Sequence, residues 1–304
     1  MSNPHPLSAA ALFDLKGWVA VVTGGGTGVG LMITQILAAN GATVYITGRR
    51  ADVLETSARV HGASGKLGGS GGRIVPLTMD ITDKESIQRA VREIEVKEGF
   101  VNVLVNNAGV WKSRPAATPA DGPDAFGAAM FAEEEDNWQQ SFLTNTTSQY
   151  FVTAAFLPLL AKAVSSPVGR AGTIINNASV SGLLRLSQRT QYSYNASKSA
   201  ILHLTRQMAF DFSHENINIR VNGLALGYFP SEMTTENSND DNESTYNVDG
   251  FRAFMESLGT KVVKRMGTAK DLASVMLTLV TNDYLWGTVT ILDGGMALSL
   301  PGNM

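Results

Sequence analysis

Short β-branched, apolar runs alternate along this chain with longer stretches in which apolar residues recur every three or four positions. The first pattern reads as a strand covered on both faces, the second as an amphipathic helix. WVAVVTG (18–24) predicts a strand, and GLMITQILAANG after it has helical spacing. ATVYITG (42–48) predicts a second strand, RIVPLTMD (73–80) a third, and KESIQRAVREIEVKEG (84–99) a helix with one polar and one apolar face. VNVLVNNAG (101–109) predicts a fourth strand running into a turn, and GTIINNAS (172–179) a fifth. SYNASKSAILHLTRQMAFDFS (193–213) then predicts a long helix, INIRVNGLA (217–225) a sixth strand, AKDLASVMLTLV (269–280) a helix and GTVTILDGG (287–295) a last strand. Strands separated by helices pair in parallel through right-handed crossovers, so the expectation is an α/β fold with a doubly wound sheet.

Three segments leave this rhythm. HGASGKLGGSGG (61–72) reads as a flexible connection. WKSRPAATPADGPDAFGAAMFAEEED (111–136) is long and interrupted by Pro and Gly, and is expected to shape a substrate pocket with Trp111 and Trp138. TTENSNDDNESTYNVDG (234–250) is acidic and nearly free of apolar residues, which predicts a mobile lid. No linker divides the chain, so a single domain over 1–304 is expected, with 111–136 as an insertion and 228–258 as a lid.

Composition narrows the class. The chain has 304 residues, 44% of them hydrophobic, enough for the core of one large α/β domain. Its 24 basic and 27 acidic residues form no basic run, which argues against nucleic acid as a partner. The absence of cysteine removes disulfides, thiolate metal sites and a Cys nucleophile, and fits a reducing compartment. The four histidines have no ligand spacing with carboxylates, so no metal is expected. The N-terminus lacks a basic start followed by a long apolar run, and YFVTAAFLPLL (150–160) is too short to span a bilayer and holds Pro158. A soluble, cytoplasmic protein with no membrane partner is the expectation.

The candidate chemistry starts in TGGGTGVG, between the first strand and its helix. Gly24, Gly28 and Gly30, with Thr27 and Val29 between them, let the backbone turn tightly and approach a pyrophosphate at a helix N-terminus. NAD-specific sites place a carboxylate near the end of the second strand; here Arg49 and Arg50 come first and no acid follows until Asp52. A guanidinium suits a 2′-phosphate, which favours NADP(H), the alternative being two solvated arginines at a helix start. Asp80, with the Ile81 amide beside it, suits an adenine amino group, or else a turn or a helix N-cap. Asn107, Ala108 and Gly109 end the fourth strand in residues small enough for close cofactor approach.

TQYSYNASKS (190–199) holds two tyrosines and a lysine, and only Tyr194 has the lysine, Lys198, four residues on, where a helix puts both on one face. A nearby ammonium is expected to lower the phenol pKa and make it usable in acid–base chemistry. Together, TGGGTGVG, NNAG, Asn145, Ser179, YNASK and LDGG stand in the order and approximate spacing of the short-chain dehydrogenase/reductase family, in its single-domain branch. Within that family, YSYNASKSA and GYFPSEMT are similar to 3-oxoacyl-carrier-protein reductases and rhamnolipid-type reductases. The resemblance covers about residues 14–298. It implies a Rossmann-type, seven-stranded parallel sheet in the order 3-2-1-4-5-6-7 with helices on both faces, and a homodimer or homotetramer.

The resemblance also implies roles. Tyr194 would protonate the carbonyl oxygen as hydride arrives from NADPH; Lys198 would lower the tyrosine pKa and hold the nicotinamide ribose; Ser179 would hydrogen-bond the substrate oxygen; Asn145 would hold a water leading from Lys198 to solvent. Ser181, thirteen residues before Tyr194, competes with Ser179 for the serine role, and the strand anchor favours Ser179. Gly227, Phe229 and Ser231 would contact the nicotinamide amide and phosphates. The family's Pro-Gly after the sixth strand is Leu226-Gly227 here, a change expected to free this loop and loosen cofactor positioning. The implied activity is NADPH-dependent reduction of a carbonyl, of ketone or 3-oxoacyl type, to an alcohol, or the reverse oxidation, on a small molecule, in secondary metabolism for example. The alternatives are an NADP(H)-binding scaffold or sensor with little turnover, and a redox-neutral lyase or cyclase on the same fold.

Overall fold

The computed structural model describes residues 5–63, 65–260 and 262–300. The ends of the expected domain, 1–4 and 301–304, lie outside the described residues, as does Ser64 in the Gly-rich run. Seven strands run β1 (Val19–Thr23), β2 (Thr43–Gly48), β3 (Arg73–Thr78), β4 (Val103–Asn106), β5 (Thr173–Asn177), β6 (Arg220–Leu226) and β7 (Val289–Leu292). They form one sheet in the order β3-β2-β1-β4-β5-β6-β7, parallel at every pairing, as the sequence pattern and the resemblance imply. The helices are α1 (Ala9–Leu12), α2 (Gly28–Ala39), α3 (Ala51–His61), α4 (Lys84–Glu98), α5 (Gly122–Phe131), α6 (Glu135–Phe142), α7 (Ser148–Ala161), α8 (Tyr192–Phe212), α9 (Glu232–Thr235), α10 (Val248–Ser257), α11 (Ala269–Thr281) and α12 (Met296–Ser299).

The sheet is covered on both faces because its central strands are apolar throughout. Every residue of β1 is buried, with alternate side chains facing opposite layers. On one face Ala20 and Val22 pack with Ile33 and Leu37 of α2 and with Leu272, Met276 and Val280 of α11. On the other, Val19 and Val21 pack with Ile87 and Ile94 of α4, Phe156 and Leu159 of α7 and Met208 of α8. Each such side chain contributes roughly 1.5–3 kcal/mol on burial. The strand order reverses between β1 and β4, so a crevice opens at the C-terminal ends of those strands. No helix among the described residues is long and apolar enough to cross a membrane.

The Gly-rich run 61–72 is pinned rather than free. Leu67 is buried in the core, and the Ser70 hydroxyl donates to the Ala38 carbonyl at 3.0 Å. Composition showed the glycines; it could not show that one leucine and one serine would hold them. The 111–136 insertion is largely helical, carrying α5 and the start of α6.

Candidate active site

The crevice is a cavity of about 890 Å³ at the strand-order reversal, large for a small-molecule site. Of the catalytic and cofactor-binding residues expected from sequence, all but Gly28 and Asn145 line it. One end is the turn into α2. That helix starts at Thr27, whose side chain makes no cap hydrogen bond, so the first backbone N–H groups of a three-turn helix open toward the cavity. Gly30 is there because a Cβ would meet the Gly24 carbonyl oxygen at 2.0 Å. Gly28 takes φ +51°, and a Cβ on it would strike the Ser231 side chain at 2.7 Å, so Gly28 is the seat on which the lid rests rather than a lining residue. A glycine cradle with unsatisfied donors fits the pyrophosphate of a dinucleotide.

Asn107 braces this wall. Its amide donates to the Thr23 carbonyl at 2.8 Å and accepts from Asn177 at 2.9 Å, tying the ends of β1, β4 and β5 together. Asp80 follows β3, and its Oδ1 accepts from the Thr82 backbone N–H at 2.9 Å and hydroxyl at 2.7 Å. The turn role therefore occupies one carboxylate oxygen, while Asp83, not Asp80, caps α4. Ile81 is buried beside it. Arg49 and Arg50 stand exposed on the rim where β2 enters α3.

The other end gathers Ser179, Tyr194 and Lys198. Ser179 follows β5 and opens a short 3-10 turn, Val180–Gly182, its Oγ accepting from the Ser181 N–H at 3.1 Å. The Ser179 hydroxyl also faces the Tyr194 phenol closely enough to favour its ionised form. Ser181 turns away: its hydroxyl donates to Gln188 Oε1 at 2.5 Å. The backbone thus places Ser179, not Ser181, beside the phenol. Tyr194 and Lys198 share one face of α8, the Lys198 Nζ lying 5.8 Å from the Tyr194 ring centroid. Ahead of that helix Gln188, Arg189 and Thr190 take φ of 52°, 66° and 65°. Three left-handed non-glycine residues in succession store strain, of the order of 1–3 kcal/mol each. The turn is held by the Ser181–Gln188 bond and by the Gln191 amide on the Gln188 carbonyl at 2.7 Å, which fixes where α8 begins.

Lys198 is buried, 4% exposed, and donates to the Asn177 carbonyl at 3.1 Å. Burial pushes its pKa down to about 8. Burial pushes the Tyr194 phenol up, opposed by the Ser179 hydroxyl. The expected lowering of this phenol by Lys198 is therefore corrected. The ammonium is turned to the Asn177 carbonyl, and loss of water around the phenol, not this cation, sets the direction of its shift. Asn145 lies behind the cavity wall in a π-helical turn, Leu143–Thr147, that sequence periodicity did not reveal. Its Oδ1 accepts from the Val110 N–H at 2.8 Å, and its Nδ2 donates to the Val110 carbonyl at 2.9 Å and to Ser197 Oγ at 3.0 Å. Gly109 separates it from the lysine; a Cβ there would lie 3.1 Å from Asn145 Oδ1 and 3.5 Å from Lys198 Nζ.

Four further expectations change. Leu226 does not loosen its loop: it is buried, pairs with Leu292 in the ladder, and is followed by the Gly227 N–H on the Leu292 carbonyl at 3.0 Å. Phe229 lines the cavity, but its ring packs into the core over Gly267, where a Cβ would come within 2.3 Å. Trp111 and Trp138 do not line the cavity; the insertion and α6 supply Lys112, Asp136 and Gln140 instead. The acidic segment is anchored. Asn242 Nδ2 donates to the Val53 carbonyl at 3.0 Å and to Ser57 Oγ at 2.8 Å, and the buried His61 bonds the Asp241 carbonyl through Nε2 at 2.7 Å. These contacts run across about 180 residues of sequence, beyond the reach of any local pattern.

Comparison with known proteins agrees with this architecture. The family model described as short chain dehydrogenase matches residues 18–242. The chain is 35% identical to the short-chain dehydrogenase/reductase PhomF of Diaporthe leptostromiformis, over 98% of this chain and 97% of that one. It is 28% identical to the rhamnolipids biosynthesis 3-oxoacyl-[acyl-carrier-protein] reductase of Pseudomonas aeruginosa, over 94% and 98%. Among solved structures it resembles the Pseudomonas aeruginosa RhlG/NADP active-site complex at TM-score 0.73 and 27% identity, covering 96% of this chain and 99% of that one.

Proposed function

The chain belongs to the short-chain dehydrogenase/reductase family, and on that premise we propose that it is an NADP(H)-dependent carbonyl reductase working as one oxidoreductase domain. The observation that carries the proposal is the meeting of Ser179, Tyr194 and Lys198 in the same cavity as the glycine turn into α2. NADP(H), rather than NAD(H), is supported by Arg49 and Arg50 where a ribose-binding carboxylate would otherwise stand, and by the RhlG/NADP neighbour.

A bound reduced nicotinamide supplies the hydride. This chain's residues supply the rest. Ser179, beside the phenol in the cavity wall, orients the substrate carbonyl oxygen toward it. Tyr194, kept neutral by burial, holds its proton at Oη and donates it to the oxygen that becomes the alcohol. The buried Lys198 then lies beside the phenolate and stabilises it electrostatically. Asn145 fixes the Val110 backbone next to Gly109, and one lone pair on its Oδ1 remains to order solvent for reprotonation. The substrate is a small molecule with a ketone or 3-oxoacyl group. A cytoplasmic homo-oligomer is the setting we propose.

The test is consumption of NADPH by the purified protein on a panel of ketones and 3-oxoacyl thioesters, with the alcohol identified as product. Tyr194→Phe should abolish turnover and leave NADPH binding intact. Cofactor binding without turnover on any carbonyl would favour a scaffold instead, and product formed without NADPH a lyase or cyclase. The Leu226 departure lends those readings no support, since that residue is fixed in the ladder.

A further inference from the structure

Arg50 is already partnered. Its Nη1 and Nη2 donate to Glu232 Oε1 and Oε2 at 3.2 and 2.8 Å, a two-pronged contact between the end of β2 and the first residue of α9 in the lid. Both residues line the cavity. The carboxylate is held from behind as well: Ser238 Oγ donates to Oε1 at 3.2 Å. The lid that carries it cannot swing clear at no cost. Ser231 sits on Gly28 at one end of it, and Asn242 and the Asp241 carbonyl are bonded to Val53, Ser57 and His61 of α3 at the other.

We propose that Glu232 is a cofactor-selectivity residue, a lid carboxylate that occupies the Arg50 guanidinium edge in place of a 2′-phosphate and competes with it. The inference rests on the NADP(H) reading above. A guanidinium presents two parallel N–H groups, and either a carboxylate or a phosphate accepts both. A phosphate monoester carries a charge of about −1.5 to −2 against −1 for the carboxylate, so it displaces Glu232, but only after breaking the existing pair and against repulsion from the same carboxylate. A cofactor that ends in a ribose 2′-hydroxyl makes no such demand on Arg50. Glu232 therefore weakens NADP(H) binding selectively and narrows the gap between the two dinucleotides. Among the described residues Arg49 has no ion-pair partner, which leaves it free to meet the phosphate first.

The experiment measures dissociation constants for NADPH and NADH, at one fixed ionic strength, on the full chain and on Glu232→Gln and Arg50→Gln. The Arg50–Glu232 pair is exposed enough to contribute little to folding, and Ser238→Ala, which loosens Glu232 without removing its charge, provides an independent and milder variant. Glu232→Gln should tighten NADPH by about three- to tenfold and change NADH by less than about twofold, with Ser238→Ala shifting in the same direction by less. Arg50→Gln should lower the native preference for NADPH, the remainder resting on Arg49. If Arg50→Gln lowers it but Glu232→Gln leaves the preference for NADPH over NADH unchanged or weaker, the inference fails and the cofactor reading stands. If the native protein and Glu232→Gln both bind NADH as tightly as NADPH, both fall.

Discussion

Replacing Lys198 by Met should stabilise the folded protein near neutral pH. The lysine is buried, and its pKa falls from 10.5 to about 8 because burial disfavours the ammonium. The unfolded chain binds that proton more readily than the native state does, so folding carries a penalty that is full below pH about 8 and fades as pH rises toward 10.5. The fall from 10.5 to about 8 corresponds to a penalty of about 3 kcal/mol at pH 7, falling to about 1 kcal/mol at pH 9.5. Methionine removes the penalty, but it leaves the Asn177 carbonyl without the donor now 3.1 Å away, a loss of about 1–2 kcal/mol. The net expectation is a gain of about 1–2 kcal/mol at pH 7 that shrinks by about 2 kcal/mol between pH 7 and 9.5. Urea unfolding of the cofactor-free native protein and Lys198→Met at both pH values measures this difference, and other titrating groups cancel within it. Turnover should vanish in the variant. A stability difference that stays constant with pH, or a variant clearly less stable at pH 7, would refute the argument that this lysine is held at an energetic disadvantage.

Other expectations follow from the same geometry. Ser179→Ala, which removes the hydroxyl beside the Tyr194 phenol, should lower kcat by about a hundredfold or more, whereas Ser181→Ala, whose hydroxyl serves Gln188, should act through the strained turn and cost less than about tenfold; steady-state kinetics of both variants decide between the two serines. Leu226→Ala should destabilise the protein by about 2–4 kcal/mol in urea unfolding, because the side chain is buried between β6 and the α2/α11 layer; a cost below about 1 kcal/mol would show that the position is a loop hinge after all. Asn242→Ala removes two hydrogen bonds from the lid to α3, and limited proteolysis should cut between residues 235 and 247 several-fold faster than in the native chain, with global stability lowered by no more than about 2 kcal/mol.

The sheet was legible in the sequence because its information is local. Each strand is a short run of β-branched residues covered on both faces, and the alternation with helices leaves few topologies once crossovers must be right-handed. Strand order itself came from the resemblance, since no pattern within β3 says that it lies outside β2. The misjudged segments share a cause. In 61–72 and 234–250 the composition is polar or Gly-rich, and each is fastened by a few residues whose partners are remote: Leu67 in the core, Ser70 on Ala38, Asn242 on α3. Polar composition predicts mobility only where no such fastener exists, and a single asparagine does not alter composition.

The site divides along the same line. The i,i+4 spacing of Tyr194 and Lys198 is a helical property and could be read directly. The direction of the tyrosine's pKa shift could not, because it depends on how much water the surrounding loops remove. An ammonium on the next turn would lower an exposed phenol. Here the ammonium is desolvated in turn and spends its hydrogen bond on Asn177. Burial therefore moves the two groups toward their neutral forms together, the phenol up and the amine down. That is the arrangement a proton donor requires: the phenol keeps its proton until charge develops on the substrate oxygen, and only then does a cation beside it gain a partner. In the proposed reaction the lysine would be of most use in the transition state because it gains little from the phenol before it, and a surface Tyr–Lys pair, already solvated, would lack that difference.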